Sequence, residues 1–172
     1  MNEINKRSGK TDLRDSNKIF ERLLKICLII GIIIVSGFII YYILTPEPGY
    51  VTFGILNEDQ EAEGYPTEAS INETITFYLS VGNHLKREFE FRFKILKGNN
   101  DTVIGSFPSN GSLYLTMGNF TLEDNTERIF GGYNISFSDV GENQIIIAEL
   151  WQIKNEVEDF YNVIYLRLNI TT

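Results

Sequence analysis

Cysteine, histidine and tryptophan each occur once in the 172 residues, and proline only four times. One Cys excludes an internal disulfide framework, and one Cys with one His excludes a zinc site built from several of them. Cations are also scarce: 15 Lys and Arg face 23 Asp and Glu, for a formal net charge of −8. Phosphate backbones are held by clustered cations, so no nucleic-acid partner is expected. No nucleophile–base pairing, phosphate-binding loop or ligand spacing stands out, so no catalytic, cofactor or metal residue is assigned. What is abundant is apolar: 43% hydrophobic and 13% aromatic residues, too many for a wholly disordered chain.

The charge is unevenly placed. Residues 1–25 carry seven bases and four acids, a net +3, whereas 26–172 carry eight bases and nineteen acids, a net −11. Between them, residues 26–44 hold no charge at all. Nineteen helical residues rise about 28 Å, close to the roughly 30 Å hydrocarbon core of a bilayer. The run is apolar on every face, which a domain of this size cannot bury. It is expected to be a transmembrane helix. Lys18, Arg22 and Lys25 lie before the span and no base follows it directly, so the N-terminus is expected in the cytoplasm and the C-terminal part outside. The run exceeds the 7–15 apolar residues of a cleaved signal, and Tyr41-Tyr42-Ile43-Leu44-Thr45-Pro46 offers no small-residue cleavage site, so an uncleaved anchor is expected. Cys27, inside the run, is taken as a small apolar residue.

The expected domains are a disordered cytoplasmic tail over 1–17, a juxtamembrane and transmembrane helix over 18–44, a Pro-rich linker over 45–49, and an exterior domain over 50–172. The exterior part carries six Asn-X-Ser/Thr acceptor patterns, at Asn72, Asn100, Asn110, Asn119, Asn134 and Asn169. Its Asn, Ser and Thr content would give about two by chance. These six are the expected glycosylation sites.

From Tyr50 onward the dominant period is two. Phe89, Phe91, Phe93 and Ile95 alternate with Glu90, Arg92 and Lys94, the pattern of a strand with one dry face. Similar alternation runs through 74–81, 112–117 and 133–137. Further strands are expected at 50–56, 102–107, 144–153 and 160–170, separated by Gly, Asn and Asp clusters. Seven to nine short strands at this spacing argue for an all-β fold, an immunoglobulin-like antiparallel β-sandwich on a single N-terminal transmembrane helix. A small barrel is the alternative.

The last two strands suggest an interaction patch. With 154–159 as the loop, Ile153 pairs with Phe160 and opposite residues share a face. Ile145, Ile147, Glu149, Trp151 and Ile153 then look inward with Phe160, Asn162, Ile164, Leu166 and Leu168. The outer face would show Ile146, Ala148, Leu150, Tyr161, Val163 and Tyr165, a set too apolar for plain solvated surface and suited to protein contact. The acidic loop 57–63 is set aside as a calcium site because its spacing fits no known ligand pattern. His84 is read as a turn residue.

Gly64-Tyr65-Pro66-Thr67, Asn72-Glu73 before a strand, and Val81-Gly82-Asn83-His84 resemble the exterior domain of an archaeal membrane-protein family, domain of unknown function 1616. The resemblance covers roughly residues 50–170. It implies a β-rich domain outside an archaeal cell and no established activity. This chain has one span where the family usually has several, and Asn72 where glycine is common.

The sequence therefore suggests a non-enzymatic, membrane-anchored extracellular module. Its partners would be the lipid bilayer and an envelope or surface-layer protein, or it would serve as an accessory subunit; no oligomeric state follows. A carbohydrate-binding module is the second reading, disfavoured because Trp151 is placed inward. A glycan-active enzyme is the third.

Overall fold

The computed structural model describes residues 4–45 and 48–172, with side chains from Asn17 onward. It comprises two compact units that meet at Glu47 and Pro48. The first is one helix, α1, Ile4–Leu44. Its stretch Asn17–Leu44 is the one helix among the described residues long and apolar enough to cross a membrane, with a mean hydropathy of 2.9 and none of its most apolar window buried. Thr45 ends it: its backbone N–H donates to the Tyr41 carbonyl at 2.9 Å and its hydroxyl to the same oxygen at 2.7 Å.

The tail differs from expectation. The backbone is helical from Ile4, not disordered over 1–17; Met1, Asn2 and Glu3 lie outside the described residues. Nucleation is the costly step of helix formation. A long apolar helix supplies the nucleus, and good helix formers such as Lys6, Arg7, Lys10, Leu13 and Arg14 extend it. Within the expected linker 45–49, Pro46 and Glu47 lie outside the described residues.

The second unit is a β-sandwich of eight strands: β1 (Tyr50–Leu56), β2 (Glu68–Ser70), β3 (Ile75–His84), β4 (Phe89–Gly98), β5 (Ser112–Leu122), β6 (Thr126–Ile135), β7 (Gly141–Lys154) and β8 (Val157–Thr171). One sheet runs β1-β3-β6 and the other β2-β8-β7-β4-β5. Every pairing is antiparallel except β2 with β8, which is parallel.

The main core lies between the sheets. Phe89, Phe91, Phe93 and Ile95 enter it from β4, meeting Phe77, Leu79 and Val81 from β3. Phe130 of the three-stranded sheet packs edge-on against Phe91 at 5.6 Å and Phe93 at 5.4 Å. Phe120 of β5 lies 4.7 Å from the same ring. Such aromatic contacts add roughly 0.5–1.5 kcal/mol each beyond area burial.

Two expected elements changed. Residues 102–107 do not pair as a strand. They belong to a strap over 99–111 on the outer face of the five-stranded sheet, where Ile104 packs on Leu96, Ile145 and Ile147. Gly105 and Pro108 break the extended run. Conversely, Gly131 and Gly132, read as a turn, lie inside β6. Their positive φ values of 129° and 48° form a bulge opposite Phe77 and Tyr78, a device that needs glycine.

A buried polar side chain fixes one end of the sandwich. Asn83 is fully buried, and its amide donates to the carbonyls of Arg87 (2.8 Å) and Leu122 (3.0 Å). Its Oδ1 accepts the Leu85 N–H at 3.0 Å. The β3–β4 turn is thereby tied to the end of β5. Removing Asn83 leaves three backbone groups without this partner, each costing about 1–3 kcal/mol if it stays buried. Asn83→Ala is expected to destabilise the sandwich by about 3 kcal/mol or more, read from denaturant unfolding of the detergent-solubilised chain by tryptophan fluorescence.

Candidate protein-binding face on the five-stranded sheet

The expected patch divides between two faces. Ile146, Ala148 and Leu150 are fully buried in the main core, so they cannot be an exposed surface. Tyr161 and Tyr165 are exposed and Val163 is half-buried. The cause is register. The β7–β8 turn is two residues, Asn155 and Glu156, both left-handed with φ of 49° and 66°, instead of a six-residue loop. Trp151, not Ile153, stands opposite Phe160, and Ile147 stands opposite Tyr165. A one-residue slip moves a strand's side chains to the opposite face. The expected inward set of β7 therefore forms its outer face, and Trp151 points away from the main core. The inward placement of Ile164, Leu166 and Leu168 on β8 holds, whereas Phe160 lies on the outer face opposite Trp151 and Asn162 is exposed.

That outer face is built from cross-strand neighbours. Arg92 stands opposite Trp151, and Lys94 opposite Glu149. Trp151 is opposite Phe160, and Glu149 opposite Val163. Glu158 bridges the two bases, with Arg92 Nη1 on Oε1 and Lys94 Nζ at 2.7 Å from Oε2. Lys94 Nζ also lies 3.7 Å from the centre of the Trp151 ring, a cation–π contact. Phe160 meets Trp151 edge-on at 5.8 Å.

Glu149 is almost fully buried on this side. It accepts the Ser109 N–H at 2.7 Å, the Ser109 hydroxyl at 2.8 Å and the Trp151 indole N–H at 2.9 Å. A buried carboxylate is tolerable only when so satisfied. These bonds pin the strap to the sheet and set the Trp151 rotamer. Both carboxylates are thus engaged: Glu149 by donors and Glu158 by bases. Arg92 also donates to Asn119 Oδ1 through Nη2.

The sequence assigned no role to Arg92, Lys94, Ser109 or Glu158, and placed Phe160 in the core. Arg92 and Lys94 were legible as the polar side of β4. Glu158 was hidden because 154–159 looked like a loop.

Asn72, Asn100, Asn110, Asn119 and Asn134 are exposed, and Asn169 is half-buried. Asn72 sits at φ 60°, a conformation open to Gly and, among other residues, favoured by Asn. In the acidic loop, Asn57 Oδ1 accepts the N–H groups of Asp59 and Glu61 at 2.9 Å each. Among the described residues no group of three or more His, Cys, Asp or Glu could hold a metal ion. His84 stacks at 4.7 Å on Tyr50 and lies 3.3 Å from Asn125 Oδ1. A polar cleft of about 310 Å³ opens among Lys97, Thr102, Asn110, Asp139 and Gln144. Lys97 itself donates to the Ser136 carbonyl and lies over the rings of Tyr114 and Phe137, at 4.6 and 5.2 Å.

No protein-family model matches the chain, and no curated protein does. Among solved structures it is similar to the CARDB domain of a Pyrococcus furiosus protein, crystallised in complex with di-metal ions. Identity is 14% and the TM-score 0.47, over 74% of this chain and 93% of that one. A solution structure of the same domain gives 12% and 0.46, over 73% and 97%. A β-glucosidase from Listeria innocua gives 8% and 0.43; the match covers 71% of this chain but only 16% of the enzyme. The all-β sandwich is plain from the chain's own two sheets.

The Lys94 hydrogen bond holds the Glu158 carboxyl below its ordinary range, aided by the charges of Lys94 and Arg92 and opposed by desolvation. A depressed folded pKa gives stability that is fully present above the unfolded value, about 4.3 for Glu. It is lost as pH falls through the folded value. Glu158→Gln is expected to lower the melting temperature at neutral pH, with the gap to wild type closing as pH falls below about 4. A gap that stays constant with pH would show that the bridge contributes nothing.

Proposed function

We propose that the chain is a single-pass membrane protein whose β-sandwich faces the cell exterior and contacts another envelope or surface-layer protein, directly or as an accessory subunit. The observation that carries this is the outer face of the five-stranded sheet. Trp151 stands opposite Arg92 and Phe160, and Val163 opposite Glu149; Glu149 holds Trp151, Glu158 holds Arg92 and Lys94, and Tyr165 is exposed further along β8. Aromatic and Arg side chains on a rigid sheet are what protein interfaces enrich. Preset rotamers also lower the entropy lost on binding.

The α1 span supports the anchor. The basic residues before it support a cytoplasmic N-terminus. In that compartment the six acceptor Asn would carry N-linked glycans, and the resemblance to the archaeal membrane family fits the same placement. The role is non-enzymatic: both carboxylates on the face are held by hydrogen bonds or bases, which leaves neither positioned as an acid–base catalyst.

A carbohydrate-binding module is the second reading, and the outward Trp151 favours it over the sequence expectation. Against it, Lys94 lies over one face of the indole, where a sugar would stack.

Tyr165 is nearly half exposed. Tyr165→Glu is therefore expected to fold normally and to lose a partner that co-purifies with the wild-type chain from native membranes. An unchanged set of partners would discard this face as the contact, and wild-type binding on a glycan array would favour the second reading.

A further inference from the structure

The sandwich presents a long edge that lacks charge and proline, two of the usual safeguards, and is interrupted only by two bulges. The five-stranded sheet ends at β5, whose one ladder partner among the described residues is β4. An open edge strand offers a row of N–H and C=O groups to any other strand. Natural edges are blunted by charge, proline, bulges or brevity. β2 is three residues long. β6 carries Glu127 and Arg128. β1 lies against β8. β5, by contrast, is eleven residues long and contains neither charge nor proline.

The neutrality extends beyond the strand. Residues 102–122 contain no charged side chain, the longest such run in 48–172. The surrounding unit is strongly acidic, with eight bases and eighteen acids, a net −10. The run is also where apolar side chains reach solvent. Val103 and Phe107 on the strap and Leu113, Tyr114 and Leu115 on β5 are all exposed.

We infer that β5 pairs edge to edge with β5 of a second copy of this chain. Charge selects that occupant. A basic partner would be drawn to the acids, none of which lies in this run. Two copies at net −10 repel each other over most of their surface. They approach at least cost where no acid stands, and the neutral run is that place. Edge pairing is also self-complementary: one strand donates and accepts equally, as a twofold interface requires.

The geometry leaves room for it. Bulges on β5 fall at Tyr114 and Asn119, leaving Leu115, Thr116, Met117 and Gly118 in continuous register opposite Ile95 to Arg92, with Gly118 at φ 122° where the second bulge begins. Those four form the ladder, and the exposed Leu113 and Tyr114 of β5 adjoin it. Asn119 is not in the way, because its Oδ1 meets Arg92 on the sheet face. A four-residue ladder is a weak contact in solution, and two copies confined to one membrane meet at a much higher effective concentration.

Thr116 is exposed at the middle of the regular stretch and faces Lys94 across the β4–β5 pair, so the monomer tolerates Glu there. Chemical cross-linking of the full chain in its native membranes is expected to trap a dimer for wild type. Thr116→Glu should be monomeric with the wild-type melting temperature. Co-expression of Thr116→Glu with Thr116→Lys should restore a mixed dimer, which a merely misfolded variant could not do. A monomeric wild type, or a Thr116→Glu chain that stays dimeric, overturns the inference. Tyr165→Glu, on the other outer-face strands, should leave the dimer intact, so failure here and failure of the sheet-face proposal are distinguishable.

Discussion

An apolar helix that has nothing to bury itself against sets the terms for the whole chain. Over Asn17–Leu44 the mean hydropathy reaches 2.9 and the apolar side chains lie open. In water each Å² of that surface would cost about 25 cal/mol. Hydrocarbon removes the cost, and the helix satisfies its own backbone as a lipid environment demands. The chain divides into two units of different character: an apolar helix suited to hydrocarbon, and a sandwich with its own core.

That second unit has no disulfide, since Cys27 lies in the helix. Its stability rests on packing. Phe91, Phe93 and Phe120 from one sheet and Phe53 and Phe130 from the other bring five rings together across the interior. A smaller core forms outside the sheet, where the strap covers Leu96, Ile145 and Ile147. β7 is thus dry on both faces over Ile145 to Leu150. The strap brings Ser109 onto Glu149, and Glu149 orients Trp151. The candidate binding face exists because a loop protects the sheet beneath it.

Much of this architecture was legible from residue order. β1 falls at the expected 50–56, and β3 and β4 carry the expected alternation because each has one wet face to mark its period; β5 covers the expected 112–117, but Leu113 and Leu115 are exposed there. β7 gave no such mark. Six successive buried residues carry no alternation, so its inward side could be set only through its partner. That partner's register depended on a turn of Asn155 and Glu156, which lacks the Asn-Gly pattern that announces a two-residue hairpin. A bulge at Leu150 and Trp151 shifted it further. One position of slip was enough to exchange Ile146, Ala148 and Leu150 with Trp151 and its neighbours. The long-range partners of Glu149 and Glu158 were out of reach for the same reason.

The acidic sandwich gains meaning only with its side of the membrane. Bases precede the span and acids dominate beyond it, which is the basis of the proposed orientation. The most direct measurement uses a membrane-impermeant maleimide on intact cells, with Cys27 replaced by Ser. Val157 is exposed on the β7–β8 hairpin, so Val157→Cys is expected to label without lysis, while a Cys at Ser8 labels only after the membrane is opened. Labelling of Ser8→Cys on intact cells, with Val157→Cys protected, would reverse the orientation and with it the exterior role.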